Sequence, residues 1–155
     1  MSNIEPDQRR FIDGIARLFV PWGVPQTAAS LYGYLLLCPQ PADLDEIARD
    51  LEISKSSASV AARLLEQYTL AHRLRVRGSK RILYEVSENY EEMLTQQSRL
   101  LEALANQLLA GAQMSRSKKI KQRLKEIAAF NLAARDAMAE MLQAMSAKRR
   151  GSAGQ

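Results

Sequence analysis

Cysteine and histidine are nearly absent. Cys38 is the only thiol and His72 the only imidazole in 155 residues. A single thiol forms neither an intrachain disulfide nor a cysteine-based metal cluster, a usage that suits a reducing cytoplasm. A single imidazole excludes a zinc site built from several histidines, although carboxylate sites stay open. Aromatic residues make up only 6% of the chain. The core must therefore be mostly Leu, Ala, Ile, Val and Met, within an ordinary apolar content of 46%. The longest apolar run, around Leu31 to Cys38, is too short to span a bilayer. The polar opening MSNIEPDQRR lacks the apolar core of a signal peptide. No nucleophile–base pair, phosphate loop or metal triad is visible, so neither catalysis nor a cofactor is expected. A cytoplasmic protein with no membrane partner is the expectation.

What the chain does have is a modest basic excess, +5 with a pI of about 9.6. That charge permits contact with nucleic acid, and it also simply keeps a surface off neutrality. The apolar spacing predicts a helix over Pro6 to Phe19, with Phe11, Ile15, Leu18 and Phe19 as its stripe. Pro21, Gly23 and Pro25 break it. A second helix is predicted over Gln26 to Leu37, with Pro25 suited to its first position. Asp43 and Glu46 form a variant capping box for a helix whose buried stripe is Leu44, Ile47, Ala48 and Leu51. Ile53 fills a turn, and Ser54 caps the following helix, with Ala58, Ala61, Leu64 and Leu65 on its inner face.

From His72 the period switches to alternation. Leu74 and Val76 face one way, and Arg73, Arg75 and Arg77 the other. Gly78-Ser79 makes a tight turn, and Ile82, Tyr84 and Val86 return as the second strand of a two-stranded hairpin. A long helix follows from about Glu88, ended or bent at Gly111. Another starts at Ser117 and runs through Leu124, Leu132 and Met145 to a frayed tail, KRRGSAGQ. The expected organisation is a winged helix-turn-helix at 1–87 with an N-terminal helix, a helical dimerisation region at 88–147 and a flexible basic tail at 148–155. The fold class is mainly α with a small β-hairpin wing. The apolar stripes of the long helices need a covering surface. A second chain in a two-fold dimer supplies one, and an intramolecular helical hairpin is the alternative.

A helix pair followed by a basic hairpin points to duplex DNA. An α-helix fits the major groove, and the second helix of such a pair usually enters it. Ser54, Lys55, Ser56, Ser57 and Ser59 are small or flexible at its head and allow close approach, and Arg63 follows. Serine hydroxyls at a helix head serve equally as caps. The helix N-terminus itself favours a phosphate. The hairpin adds Arg73, Arg75, Arg77, Lys80 and Arg81, the last two beside the turn that reaches an adjacent groove. A second basic run, Arg116 to Lys125, reads first as a solvated face.

These segments resemble the multiple-antibiotic-resistance regulator (MarR-like) superfamily, and within it the GbsR-like regulators of glycine betaine and osmolyte genes. The resemblance rests on the N-terminal FIDGIARLFVPWGVP and the run to LYGYLLLCPQP, on ISKSSAS at the head of the second helix, and on Gly78, Arg81 and Tyr84 in GSKRILY. It covers roughly residues 8 to 87. Ser56 departs mildly from the usual small residue, and Ser79 and Lys80 replace a more usual acid and arginine. The resemblance implies a homodimeric transcriptional regulator, usually a repressor, on an inverted-repeat operator. It places Ser54 to Ser59 and Arg63 in the major groove and Lys80 and Arg81 at the wing. Some relatives sense small molecules, choline-like ligands included, and an aromatic cage is the chemistry that would hold a quaternary ammonium. Trp22, Tyr32 and Tyr34 are the candidate ligand-binding residues, and packing between N-terminal helices is their other use. Cys38, a redox sensor in some relatives, closes an apolar run here and reads as a core thiol. The competing functional reading is a winged-helix protein-interaction module without specific DNA binding.

Overall fold

The computed structural model describes residues 2–154 and divides into two compact units, one ending at Glu88 and the other beginning at Asn89. In the first unit α1 (Pro6–Phe19) leads through a short 3-10 turn into α2 (Gln26–Leu37). A two-residue strand β1 (Ala42–Asp43) then precedes α3 (Leu44–Leu51), α4 (Lys55–Gln67), β2 (Ala71–Arg75) and β3 (Ile82–Val86). The second unit holds α5 (Tyr90–Met114) and α6 (Lys118–Ala153).

The helices of the first unit pack around a common core that includes Ile12, Leu31, Leu35, Ile47 and Leu65. The stripe of α1 is displaced from expectation. Ile12 and Ala16 are buried, whereas Phe11 and Leu18 are exposed. The reason is close approach: a Cβ on Gly33 of α2 would lie 3.1 Å from the Cα of Ile12. The backbones meet there, and only the narrow side of α1 can face the contact. Pro25 sits as the residue before α2 rather than within it. Asp43 and Glu46 form the expected capping box, Glu46 N–H donating to Asp43 Oδ1 at 2.8 Å and Asp43 N–H to Glu46 Oε2 at 2.9 Å. Glu52 closes α3 in the left-handed region, at φ 56°. Its turn is held by the Ile53 N–H, which donates to the Ala48 carbonyl at 3.0 Å.

The sheet has three strands, not two, in the order β1-β3-β2, all antiparallel. β1 pairs Ala42 with Tyr84 and Asp43 with Leu83. It ties the linker between α2 and α3 to the hairpin. Gly78 takes φ +78° in the hairpin turn, a conformation that favours glycine.

In the second unit α5 and α6 pack on one another through small residues, with Ala105, Ala112 and Ala128 buried. Gly111 does not end α5. It sits inside the helix, where an added Cβ would meet Leu124 Cδ1 at 3.3 Å, so the missing side chain makes room for α6. The helix stops at Ser115, and Ser117 caps α6 by accepting from the Ile120 N–H. α6 continues to Ala153, through residues expected to fray. Because the alanine seam is narrow, many larger apolar side chains of this unit stay exposed, among them Leu100, Leu104, Ile127 and Phe130.

Candidate nucleic-acid interface

α4 owes its orientation to its small inner face. Ala58, Ala61, Ala62 and Leu65 are buried, and Leu64 is half-buried. At about 100° per residue, the opposite pole of the helix carries Ser56, Val60, Arg63 and Gln67. All four are exposed. Sequence reasoning named Ser56 and Arg63 but missed Val60 and Gln67; counting round the helix from Ala58 and Leu65 would have found both.

The remaining serines divide by role. Ser54 is the N-cap, accepting from the Ser57 N–H at 3.0 Å. Its hydroxyl also donates to Ser57 Oγ at 2.8 Å and lies 3.1 Å from Ser56 Oγ. Ser59 is half-buried at the flank of the outward stripe.

The hairpin arginines take an unexpected side. Opposed residues in an antiparallel pair share a face. Arg73 is opposite Tyr84 and Arg75 opposite Ile82, so both lie on the core-facing side, in line with buried Ala71 and Tyr84. That is also the side on which Arg73 reaches α4, its Nε 3.7 Å from Glu66 Oε2. Leu74 lies on the outer face and is exposed. Burial, with the nearby Glu66 carboxylate adding to it, pushes the Tyr84 phenol above its usual value.

The cations separate into two groups. Lys55 pairs with Asp45 at 3.1 Å. Arg81 donates through Nε to Asp43 Oδ2 at 2.9 Å, with its NH2 group 2.7 Å from the same oxygen and 4.0 Å from Glu46. It thus clamps the hairpin to the cap of α3. Burial raises the Asp43 carboxyl, but hydrogen bonds from the Glu46 N–H and from Arg81 outweigh it and hold the group below its ordinary value. Arg63, Arg75, Arg77 and Lys80 have no carboxylate partner among the described residues; Arg63 reaches only the Ser59 carbonyl, at 3.4 Å. From Ser54 to Val86 seven basic side chains stand against two acidic ones, whereas the rest of the chain up to Glu88 carries four against nine.

The three aromatic candidates for ligand binding do not converge. Tyr32 stacks edge-on against Phe19, ring centroids 5.3 Å apart. Tyr34 is buried, its hydroxyl donating to Asp50 Oδ2 at 2.8 Å. Burial, and then that bond, push its phenol far above the usual value. Trp22 is 88% exposed. Asp50 is itself buried, with Arg49 Nε at 3.1 Å. Burial opposes its ionisation, but the Tyr34 and Arg49 hydrogen bonds prevail and lower its value. Cys38 is half-buried, its Sγ 3.3 Å from the Tyr34 carbonyl, and burial raises its thiol.

In the second unit the basic run Arg116 to Lys125 makes no ion pair among the described residues. Glu91, near the head of α5, pairs with Arg149. Among the described residues no helix is long and apolar enough to cross a membrane.

A helix-turn-helix packed with α1 and α2, followed by a β2–β3 hairpin whose three-stranded sheet is completed by β1 ahead of α3, defines a winged helix fold. A solved structure described as "Crystal Structure of a transcriptional regulator" superposes with a TM-score of 0.78 over 91% of this chain and 99% of that one, at 24% identity. No family model matches the sequence. The chain is 31% identical over 86 residues to the HTH-type transcriptional regulator MmpR5 of Mycobacterium tuberculosis (strain ATCC 25618 / H37Rv), covering 55% of this chain and 52% of that protein. It is 27% identical over 90 residues to the putative HTH-type transcriptional regulator YvaV of Bacillus subtilis (strain 168), covering 58% and 51%. The chain thus spans about half the length of the curated relatives it matches.

Proposed function

We propose that this protein is a cytoplasmic, sequence-specific, duplex-DNA-binding transcriptional regulator of the MarR-like, GbsR-type kind, acting as a homodimeric repressor on an inverted repeat. The observation that carries the reading is the cation sorting: among the described residues Arg63, Arg75, Arg77 and Lys80 have no carboxylate partner, and the outward stripe of α4 (Ser56, Val60, Arg63 and Gln67) is exposed. Unneutralised arginine and lysine flanking a helix that fits the major groove is what phosphate positioning and base contact require. The names of the matched relatives agree with it. Dimerisation is supported by the exposed Leu100, Leu104, Ile127 and Phe130, which the alanine seam between α5 and α6 leaves uncovered. Two-fold pairing would present two copies of α4 to successive major grooves. Repression would follow from occlusion of polymerase. Modulation by a small ligand is carried by the family resemblance alone.

Selection of binding sites from random duplex DNA, repeated at two salt concentrations, tests the reading. Enrichment of a palindromic site, with affinity falling steeply as salt rises, is the expected result. Weak, salt-insensitive binding without enrichment would move the protein to a role as an interaction module.

A further inference from the structure

Val60 is the one apolar side chain on the outward stripe of α4, and it is 59% exposed. Ser56 stands one turn before it and Arg63 one turn after, both polar and both exposed. A β-branched residue in mid-helix has lower helix propensity than alanine, and this one recovers little by burial. A lone exposed valine elsewhere would call for no explanation. Here it occupies the middle of the surface offered to a base edge. It also walls a shallow cleft of about 300 Å³ with Pro25, Thr27, Ala28 and Leu64, so the surroundings of its methyl groups are concave and largely apolar.

The major groove presents one apolar group, the 5-methyl of thymine. We propose that Val60 reads a thymine in each half-site by packing against that methyl, while Ser56 and Arg63 make the flanking polar contacts. The inference rests on the DNA-binding reading above and specifies one base within it. Burying one methyl-sized group is worth about four-fold in affinity, the equivalent of roughly 0.8 kcal/mol.

The test uses the full-length protein and the duplex it selects. Each thymine of a half-site is replaced in turn by deoxyuridine, which deletes the methyl and keeps the pairing edge. The wild type should lose about four-fold at one position. Val60→Ala, a substitution that favours the helix and keeps the fold, alters both half-sites of the dimer at once; it should lose about the square of that factor, roughly 16-fold, on the thymine site and bind both duplexes alike. The inference is overturned if every deoxyuridine duplex binds the wild type as well as the parent, if the selected half-site holds no thymine, or if the penalty persists undiminished in Val60→Ala. In those three cases an enriched site still upholds sequence-specific binding. If no site is enriched at all, the DNA-binding reading itself fails and takes this inference with it.

Discussion

Replacing Arg77 by Gln and, separately, Arg81 by Gln should split two properties that a shared basic hairpin would lump together. Arg77 has no carboxylate partner among the described residues, whereas Arg81 is spent on Asp43 at 2.7 Å. Four unpartnered cations per protomer, eight in a dimer, give a log–log salt slope near −7 when each releases about 0.9 counterion. Affinity should then fall about 10⁴-fold between 50 and 200 mM salt. Arg77→Gln removes two contacts per dimer and should flatten the slope by about 2, with the melting temperature unchanged. Arg81→Gln should leave the slope in place and lower stability instead. Its bond to Asp43 is charge-assisted, but half of Arg81 is exposed, so about 0.5–1 kcal/mol is the appropriate size. For a unit of this length that corresponds to about 3–6 °C. Fluorescence anisotropy titrations at several salt concentrations, with thermal melts alongside, read both quantities. An equal flattening by both variants would show that the Asp43 pair opens on binding, and the sorting of cations by partner would be wrong.

Gly33→Ala should cost about 1–3 kcal/mol in a denaturant titration, because the new methyl meets the Ile12 backbone at 3.1 Å and α1 must move. Tyr34→Phe should cost about 1–3 kcal/mol at pH 7 by stripping a donor from buried Asp50. The depressed Asp43 and Asp50 carboxyls contribute stability that is present above their unfolded values, near pH 4, and lost as pH falls through their lower folded values. Wild-type stability should therefore drop in acid below about pH 4, and Tyr34→Phe should shrink that drop; an unchanged acid profile would count against the Tyr34–Asp50 bond. Cys38 should alkylate more slowly at neutral pH than a free thiol, since burial raises its pKa; a rate matching a model thiol would contradict its burial. Glu52→Gly should stabilise the turn after α3 by up to about 1 kcal/mol, relieving a left-handed backbone at φ 56°, and a lower melting temperature would refute that.

Where periodicity or capping chemistry decides the structure, the sequence was legible. Asp43 with Glu46 announces the head of α3, and Ser54 the head of α4, because the partners lie three residues apart. Partners distant in sequence leave no such trace. Arg81 looks like any wing cation until Asp43, 38 residues earlier, is found beside it. β1 has two residues, too few for alternation to show, and exists because Tyr84 and Leu83 offer it an edge. The alternation in β2 was visible, but its phase was not. Arg73 and Arg75 fall on the core-facing side because Tyr84 and Ile82 set the register. On α1, adjacent Phe11 and Ile12 both look like core, and only the absent side chain of Gly33 selects the smaller. The Trp22, Tyr32 and Tyr34 set illustrates the converse. The family resemblance suggested a common pocket, but positions 32 and 34 leave a helix about 200° apart.

The left-handed Glu52 gives this lineage a margin for change. Its strain sits in the turn, away from the outward stripe of α4. Durability and address are therefore written at different positions. A protein drifting toward a new operator through Ser56, Val60 or Arg63 can absorb the loss of a kilocalorie or so by relaxing position 52, with no alteration to the surface that does the reading.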